Sequence, residues 1–247
     1  MLTEPLAPYM LWAKTRTPAE IYLAGSNLLA CALEDLPGAA GALQLAANND
    51  NGFAPLIEAI AAHKQVPTDR VMTGGGCSGV NFLAIAALVG PGDDVLVEQP
   101  GYDPLVGACR LMGAKVTRFA RPFERAFRID LEALEAAVSP ATRLIIVSSP
   151  HNPSGVSLDN ETLRGLARIA ERANAHLLVD EVYLDAEGRI TAYDVVNAGC
   201  GSVIRLRGKL RHSCGVTLGD TLTLCEAAED DPDAAMRFEE DRGHREA

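Results

Sequence analysis

The sequence predicts an α/β protein whose large domain is built on a doubly wound, mostly parallel β-sheet. Short apolar runs rich in β-branched residues alternate along the chain with segments whose apolar residues recur at helical spacing. Turn-forming Gly, Pro and Asn residues separate the two kinds of segment. The chain has 247 residues, 48% of them hydrophobic, which is enough for one large domain of this class.

The clearest unit spans residues 144–185. Residues 144–147 form a short apolar run, which turn-forming residues stop at 148–155. Residues 160–174 place apolar side chains at helical intervals, and residues 176–179 are again a short apolar run. Two strands joined through a helix in this way are expected to be parallel.

The preceding part of the chain continues the same alternation. A helix is expected to end before Pro67, and the glycine-rich stretch 74–79 separates a strand from a long apolar helix. The predicted elements are a strand at 71–73, a helix at 80–89, a strand at 94–97, a helix at 105–112, a strand at 115–119 and a helix at 130–138.

We expect three parts along the chain. Residues 1–50, which several prolines interrupt, form an arm or a partial small domain. Residues 51–185 form the core of the large domain. Residues 186–247 are a divergent tail without a recognisable small domain, so the large domain is expected to be incomplete at its C-terminal end.

Polar residues follow both strands of the 144–185 unit. Asn152 comes after the first strand, and Asp180 and Tyr183 come after the second. Ligands of an open parallel sheet bind beyond the carboxyl ends of its strands, so these side chains are expected to face one crevice. An amide, a carboxylate and a phenol suit a ring that has a basic nitrogen and a phenolic oxygen. The alternative is structural: a simple β-turn at Asn152 and a helix cap at Asp180.

The same residues carry a resemblance to a known family. Asn152–Gly155 and Asp180–Tyr183 read NPSG and DEVY, and they resemble the NPxG and DExY motifs of the class I/II, fold-type I aminotransferases that use pyridoxal 5'-phosphate (PLP). The resemblance implies that Asp180 pairs with the pyridinium nitrogen and that Asn152 and Tyr183 hydrogen-bond the phenolate oxygen. It also implies a PLP-transferase-like large domain.

The glycine-rich stretch 74–79 is the expected phosphate site. Glycines between a strand and a helix N-terminus leave backbone N–H groups able to hold a phosphate, whose charge the helix dipole favours. The family resemblance assigns this cup to Gly76, Cys77 and Ser78. A flexible turn is the alternative. Cys77 is interpreted as a backbone donor, because no base has a motif-defined place beside it.

Tyr102 is the candidate for the flat face of the ring. It ends the string Pro100-Gly101-Tyr102, which is similar to the family's PxY element that stacks on the pyridine. A tyrosine that packs in the core is the alternative.

The resemblance is lost after residue 185. Family members carry a serine-rich loop whose Lys is attached covalently to PLP and whose Arg binds the phosphate. Here Lys209 lies at about the expected distance, but the preceding serines are missing and Thr217 occupies the Arg position. Lys209 is therefore the candidate catalytic lysine, with a surface lysine as the alternative. A truncated product or a change of reading frame beyond codon 185 would give this pattern, and an uninterrupted family motif in another frame of the gene would support that hypothesis.

Two functions remain open at this point. The first is a PLP-dependent aminotransferase that passes an amino group between an amino acid and a 2-oxo acid; the second is a non-catalytic PLP-fold remnant that serves as a binding or dimerisation module. Little or no turnover is expected from the chain as given, and low solubility is expected to accompany it. A net charge of −11 argues against nucleic acid, and no apolar run is long enough to span a membrane. Scattered cysteines without CxxC pairs indicate reduced thiols in a cytoplasmic protein. No metal site is expected, and the family resemblance implies a homodimer.

Overall fold

The computed structural model describes residues 7–16, 20, 37–42, 52–64, 66–184 and 221–223. The helices are α1 (Pro8–Thr15), α2 (Ala39–Ala42), α3 (Ala54–Lys64), α4 (Gly76–Leu88), α5 (Asp103–Leu111), α6 (Leu131–Ala137) and α7 (Asn160–Arg172). The strands are β1 (Val71–Thr73), β2 (Asp94–Gln99), β3 (Lys115–Ala120), β4 (Thr142–Ser148), β5 (His176–Asp180) and β6 (Thr221–Thr223). Each strand and helix predicted between residues 71 and 180 is present, with ends displaced by a few residues.

Four strands form one parallel sheet in the order β3-β2-β4-β5. Each of these strands is connected to the next strand along the chain through a helix, because parallel strands need a crossover connection. The predicted α/β class with a mostly parallel sheet is therefore confirmed. The short strand β1 lies outside this sheet and pairs antiparallel with β6, with Thr73 opposite Thr221.

The sheet is buried on both faces, and alternate residues of each strand face opposite layers. Val95 and Val97 of β2 pack in a cluster with α4 and α5, whereas Leu96 between them packs in a cluster with α6 and α7. The same alternation places Ile146 with α4 and Ile145 with α7. Helices therefore cover both faces, which is the doubly wound arrangement.

Carboxylates fix where two of these helices begin. Asp130 Oδ1 accepts the Ala133 N–H at 3.0 Å before α6, and Asp159 Oδ1 accepts the Thr162 N–H at 2.7 Å before α7. The helices then pack against each other, so that a Cβ added at Gly165 would lie 2.4 Å from Leu131 Cδ1. Gly165 therefore allows α6 and α7 to approach each other closely.

The strand order creates a crevice at the carboxyl edge. From β2 the chain first moves outward to β3 and then crosses back to β4 on the other side of β2. Connections diverge in opposite directions at such a switch point, which opens a ligand-binding crevice between β2 and β4. The loops that follow β2, β4 and β5 all reach this edge.

The domain division proposed from the sequence falls partly outside the described residues. Within residues 1–50, α1 is joined to the core by the Tyr9 N–H, which donates to Asp103 Oδ2 at 2.7 Å. Within residues 186–247, only β6 is described, and it pairs with β1. Lys209 lies outside the described residues. None of the described helices is both long and apolar enough to cross a membrane.

Candidate functional site

Asp180 is the last residue of β5, and its carboxylate is held from several directions. Its side chain is buried, with a residue exposure of 4%. Oδ2 accepts a hydrogen bond from Asn81 Nδ2 at 2.8 Å, and Oδ1 accepts one from the Val182 N–H at 3.1 Å. Cys77 Sγ lies 3.4 Å from both carboxylate oxygens. Buried carboxylates are costly unless they are hydrogen-bonded in this way, so the position of Asp180 is well defined.

The predicted phosphate cup forms the first turn of helix α4. Gly76 has a φ of 74°, a left-handed conformation that favours glycine, and Cys77 and Ser78 follow it in the first turn. The N-cap residue is Gly75, which offers no side chain to accept the first-turn N–H groups. The helix N-terminus is thus presented as an anion site that a phosphate oxygen can complete.

Tyr102 lies beside this cup. It is the N-cap of α5, directly after β2, and its phenol oxygen lies 3.0 Å from Ser78 Oγ. Burial raises the pKa of the Tyr102 phenol, and the negative charge of Asp180 adds to this, so the hydroxyl remains protonated at neutral pH. The ring is half-buried and packs against the core cluster of the sheet with α4 and α5.

Asn152 and Tyr183 occupy turns at the same edge. The Asn152 N–H donates to Ser148 Oγ at 3.2 Å, and Ser148 is paired in register with Asp180. Tyr183 lies in the turn that follows β5 and is partly exposed. The structure therefore brings the cup, Tyr102, Asn152, Asp180 and Tyr183 to one edge of the sheet.

A buried ionic network lies under the crevice. Arg121 Nη1 donates to Glu98 Oε2 at 2.7 Å and to the Ser148 carbonyl at 3.1 Å. Glu98 Oε1 accepts the Ser148 N–H at 2.8 Å and also the Ser148 hydroxyl. Burial raises the pKa of Glu98 to about 7, although Arg121 and Ser148 oppose the shift. The network ties the ends of β2, β3 and β4 together.

His151 joins two of the loops that carry site residues. Nε2 lies 2.9 Å from the Pro100 carbonyl and Nδ1 lies 2.7 Å from Ser154 Oγ. A carbonyl only accepts, so Nε2 carries the proton and Nδ1 accepts the Ser154 hydroxyl. Burial lowers the pKa of His151 to about 4, so the ring is neutral. It holds the loop before Tyr102 against the loop that contains Asn152.

Three features of the site were missed by sequence reasoning. These are the Asn81 contact with Asp180, the Glu98–Arg121 pair, and the side-chain contact of Cys77, which was interpreted only as a backbone donor. The available signal for Asn81 was its position one turn after Cys77 in an otherwise apolar helix, which places both on the same helix face. No sequence motif indicated that the partner of Asn81 would lie on β5.

The arrangement is chemically suited to PLP. A helix N-terminus whose cap residue is a glycine suits the phosphate, and a half-buried aromatic suits the ring face. A buried carboxylate suits a protonated pyridine nitrogen, because a charge-assisted hydrogen bond is strong where water is excluded. The described residues therefore supply a partner for each end of the cofactor and for its ring.

A family model for the class I and II aminotransferases matches residues 34–214. The chain therefore belongs to this family, whose reaction is amino-group transfer and whose cofactor is PLP. The match continues past residue 185, after which no further motif is recognisable, and it includes Lys209. The loss of recognisable motifs at 185 is thus not the end of the family likeness.

Individual relatives are matched over part of their length. The probable N-succinyldiaminopimelate aminotransferase DapC of Mycobacterium tuberculosis is 39% identical over 140 residues, which are 53% of this chain and 35% of that protein. The histidinol-phosphate aminotransferase of Moorella thermoacetica is 29% identical over 204 residues, which are 78% of this chain and 52% of that protein. The chain thus spans about a third to a half of the length of these relatives.

Solved structures show the same fold. A PLP-dependent aminotransferase from Streptococcus suis superimposes with a TM-score of 0.55 at 27% identity, covering 60% of this chain and 40% of that one. The Escherichia coli protein YbdL, whose structure identified a methionine aminotransferase function, gives a TM-score of 0.54 at 32% identity and covers 59% of this chain and 39% of that one.

Proposed function

We propose that this chain binds PLP at the carboxyl edge of its parallel sheet. We propose that it is part of an aminotransferase, which moves an amino group between an amino acid and a 2-oxo acid. The observation that carries the proposal is the buried Asp180 carboxylate, fixed by hydrogen bonds at the point where β5 ends. A carboxylate in this position stabilises a protonated ring nitrogen. That proton lets the cofactor, when bound, act as an electron sink for a substrate carbanion.

Each residue of the candidate site has a distinct role in holding the cofactor. The N–H groups that begin α4 at Gly76, Cys77 and Ser78 bind the phosphate, and Ser78 Oγ adds a side-chain donor. Tyr102 covers one face of the ring, and Ser78 at 3.0 Å sets the position of its phenol. Asn152 and Tyr183 donate to the phenolate oxygen.

Lys209 is the proposed point of covalent attachment and the base that transfers the substrate α-proton. It lies outside the described residues, and two observations support it. The family match includes residue 209. β6 begins twelve residues after Lys209, and its first residue, Thr221, lies opposite Thr73 at the end of β1, the strand that precedes the phosphate cup.

A non-catalytic PLP-binding module is the second candidate. Thr217 stands where the family has a phosphate-binding Arg, and the serines that normally precede the lysine are absent. We therefore expect the 247-residue chain to bind PLP but to turn over substrate slowly or not at all, because an altered lysine loop would not hold the reacting groups in the orientation that catalysis needs.

Lys209 decides between the two candidates. The full chain is loaded with PLP, reduced with borohydride and analysed by peptide mass spectrometry, and we expect a pyridoxyl group on Lys209. Lys209→Ala should abolish the adduct, whereas Lys115→Ala, at an exposed position on β3, should not. An adduct on another lysine, or none at all, would contradict the assignment of Lys209.

Turnover is measured with the same variants. Amino donors are screened with 2-oxoglutarate and with pyruvate, and the panel includes N-succinyldiaminopimelate and histidinol phosphate, because relatives are named for them. Turnover that requires Lys209 would establish the aminotransferase and show that the departures from the motif are tolerated. Binding without turnover would favour the non-catalytic module.

We propose further that the protein is a cytoplasmic homodimer that acts on small molecules. The support for a dimer is the exposed apolar surface on α3 and α4, where Leu56, Phe82 and Leu83 are 41%, 37% and 42% exposed. The support against a nucleic-acid partner is the net charge of −11. Sedimentation of the PLP-loaded chain tests the dimer.

A further inference from the structure

We propose that Asn81 is a positioning residue that aims the Asp180 carboxylate at the ring nitrogen of the cofactor. The inference rests on the proposed PLP site and adds to it a residue that none of the motifs includes. Asn81 lies in the second turn of α4, and its side-chain Nδ2 is 2.8 Å from Asp180 Oδ2. It acts through Asp180 and not on the cofactor itself.

The geometry fixes the carboxylate in both position and rotation. Asn81 holds Oδ2, and the Val182 N–H holds Oδ1 at 3.1 Å. Because each oxygen has a donor from a different element, rotation about the Asp180 Cβ–Cγ bond would break one of the two hydrogen bonds. Asn81 and Asp180 are 3% and 4% exposed, so bulk water does not compete for these bonds.

The same hydrogen bond links the two ends of the cofactor site. Helix α4 begins with the phosphate cup at Gly76, Cys77 and Ser78, whereas Asp180 belongs to β5. Asn81 is on the helix face of Cys77, and its Nδ2 also lies 3.3 Å from Cys77 Sγ. The Asn81–Asp180 bond therefore sets the distance between the group that holds the phosphate and the group that holds the ring nitrogen.

Stability alone does not explain an asparagine here. The Asn81 Oδ1 atom is buried and has no hydrogen-bond partner among the described residues. A buried acceptor without a partner is destabilising, and an apolar residue of similar volume would avoid that cost. The neighbouring positions of α4 that face the sheet are apolar, including Val80, Ala84 and Ile85. What the amide contributes is its donor to Asp180.

The test separates an effect on the ring nitrogen from a general loss of structure. Dissociation constants are measured by fluorescence titration of the full chain with PLP and with 1-deaza-PLP, in which C–H replaces the ring nitrogen. We expect wild type to bind PLP more tightly than the analogue. In Asn81→Leu we expect the affinity for PLP to fall about tenfold and the affinity for 1-deaza-PLP to change little, because only PLP uses the Asp180 contact.

A matched control removes a buried hydrogen bond elsewhere. Thr142 is 4% exposed at the start of β4, and its Oγ1 accepts the Ser139 N–H at 2.9 Å. Thr142→Val should leave both affinities unchanged. If Asn81→Leu does not fold, as judged by urea unfolding, Asn81→Ser is titrated instead; its hydroxyl is too short to reach Asp180, so the same selective loss is expected.

The outcomes distinguish the inference from the proposed function. An equal loss of affinity for PLP and 1-deaza-PLP in the Asn81 variants would overturn the positioning role while leaving the PLP site intact. Unchanged affinity for PLP would also overturn it. If wild type itself binds PLP no better than 1-deaza-PLP, the assignment of Asp180 to the ring nitrogen fails, and the role of Asn81 fails with it.

Discussion

Arg121 Nη1 lies 2.7 Å from Glu98 Oε2, and both side chains are completely buried. Arg121 follows β3 and Glu98 belongs to β2, while the other oxygen of Glu98 accepts the N–H of Ser148 in β4. The pair therefore joins three neighbouring strands at the edge where the candidate site lies. Ser148 in turn accepts the N–H of Asn152, so the network reaches the site itself.

Breaking this pair should destabilise the protein strongly. Arg121→Met removes one charge and leaves Glu98 buried without its ionic partner, which costs about 3–5 kcal/mol in comparable cases. The free energy of unfolding, measured by urea titration, should fall by that order. The double variant Arg121→Met/Glu98→Gln should recover part of the loss, because it leaves no unpaired charge. A loss below about 1 kcal/mol in the single variant would show that the pair is not buried in solution.

Acid should destabilise the protein partly through His176. This residue begins β5, and both of its ring nitrogens are buried without partners among the described residues. Burial lowers the pKa of His176 from 6.5 to about 3, with Arg143 contributing. Below pH 6.5 the unfolded chain binds a proton that the folded chain refuses, so the free energy of unfolding falls by about 1.4 kcal/mol per pH unit until pH reaches about 3.

His176→Leu should remove this contribution. Urea unfolding between pH 6 and pH 4 should show a pH dependence that is shallower than that of wild type by about 1.4 kcal/mol per pH unit. The remaining acid sensitivity includes His151, whose pKa burial lowers to about 4. Identical slopes in wild type and variant would mean that His176 is protonated or exposed in the folded protein. The same substitution at the exposed His63 is the control.

Two glycines should respond in opposite ways to alanine. At Gly165 a Cβ would meet Leu131 Cδ1 at 2.4 Å, so Gly165→Ala should force α6 away from α7 and cost about 1–3 kcal/mol. At Gly79 in α4 nothing lies within 4 Å of an added Cβ. Gly79→Ala should therefore stabilise the helix by up to about 1 kcal/mol. Thermal unfolding of the two variants checks both signs, and equal effects would contradict the α6–α7 contact.

Tyr102 should contribute through its ring more than through its hydroxyl. Tyr102→Phe keeps the aromatic face and loses the contact with Ser78, whereas Tyr102→Ala loses both. Aromatic stacking is worth about 0.5–1.5 kcal/mol beyond area burial, so PLP affinity should fall further in Tyr102→Ala than in Tyr102→Phe. Fluorescence titration with PLP measures the difference. Equal affinities in the two variants would remove Tyr102 from the ring face.

Much of the fold was predictable because the strands are buried on both faces. Such strands form continuous apolar runs, and β4 and β5 were placed from those runs and from the turn residues between them. The convergence of Asn152 and Asp180 followed from one rule about the carboxyl ends of parallel strands. The order of the strands was not predictable, since the periodicity of a strand does not identify its neighbour.

The contacts missed by sequence reasoning are those that depend on strand order. Asn81 and Asp180 are separated by 99 residues, and Glu98 and Arg121 by 23. A single asparagine in an apolar helix, or a glutamate near the end of a strand, carries no information about its partner until β2, β3, β4 and β5 are placed side by side. The Lys209 segment remains a prediction, because Lys209 itself lies outside the described residues.

Asp180 is assigned to the ring nitrogen of PLP, and the affinity of the Asp180→Ala variant for PLP tests this assignment. A hydrogen bond to a charged group is worth about 1.5–3 kcal/mol, so the dissociation constant for PLP should rise about 10- to 100-fold. The loss should exceed that of Tyr102→Ala. Asp69→Ala, which removes an exposed carboxylate in the turn before β1, is the control and should bind PLP as wild type does. Equal affinity for PLP in wild type and Asp180→Ala would show that Asp180 does not hold the ring nitrogen.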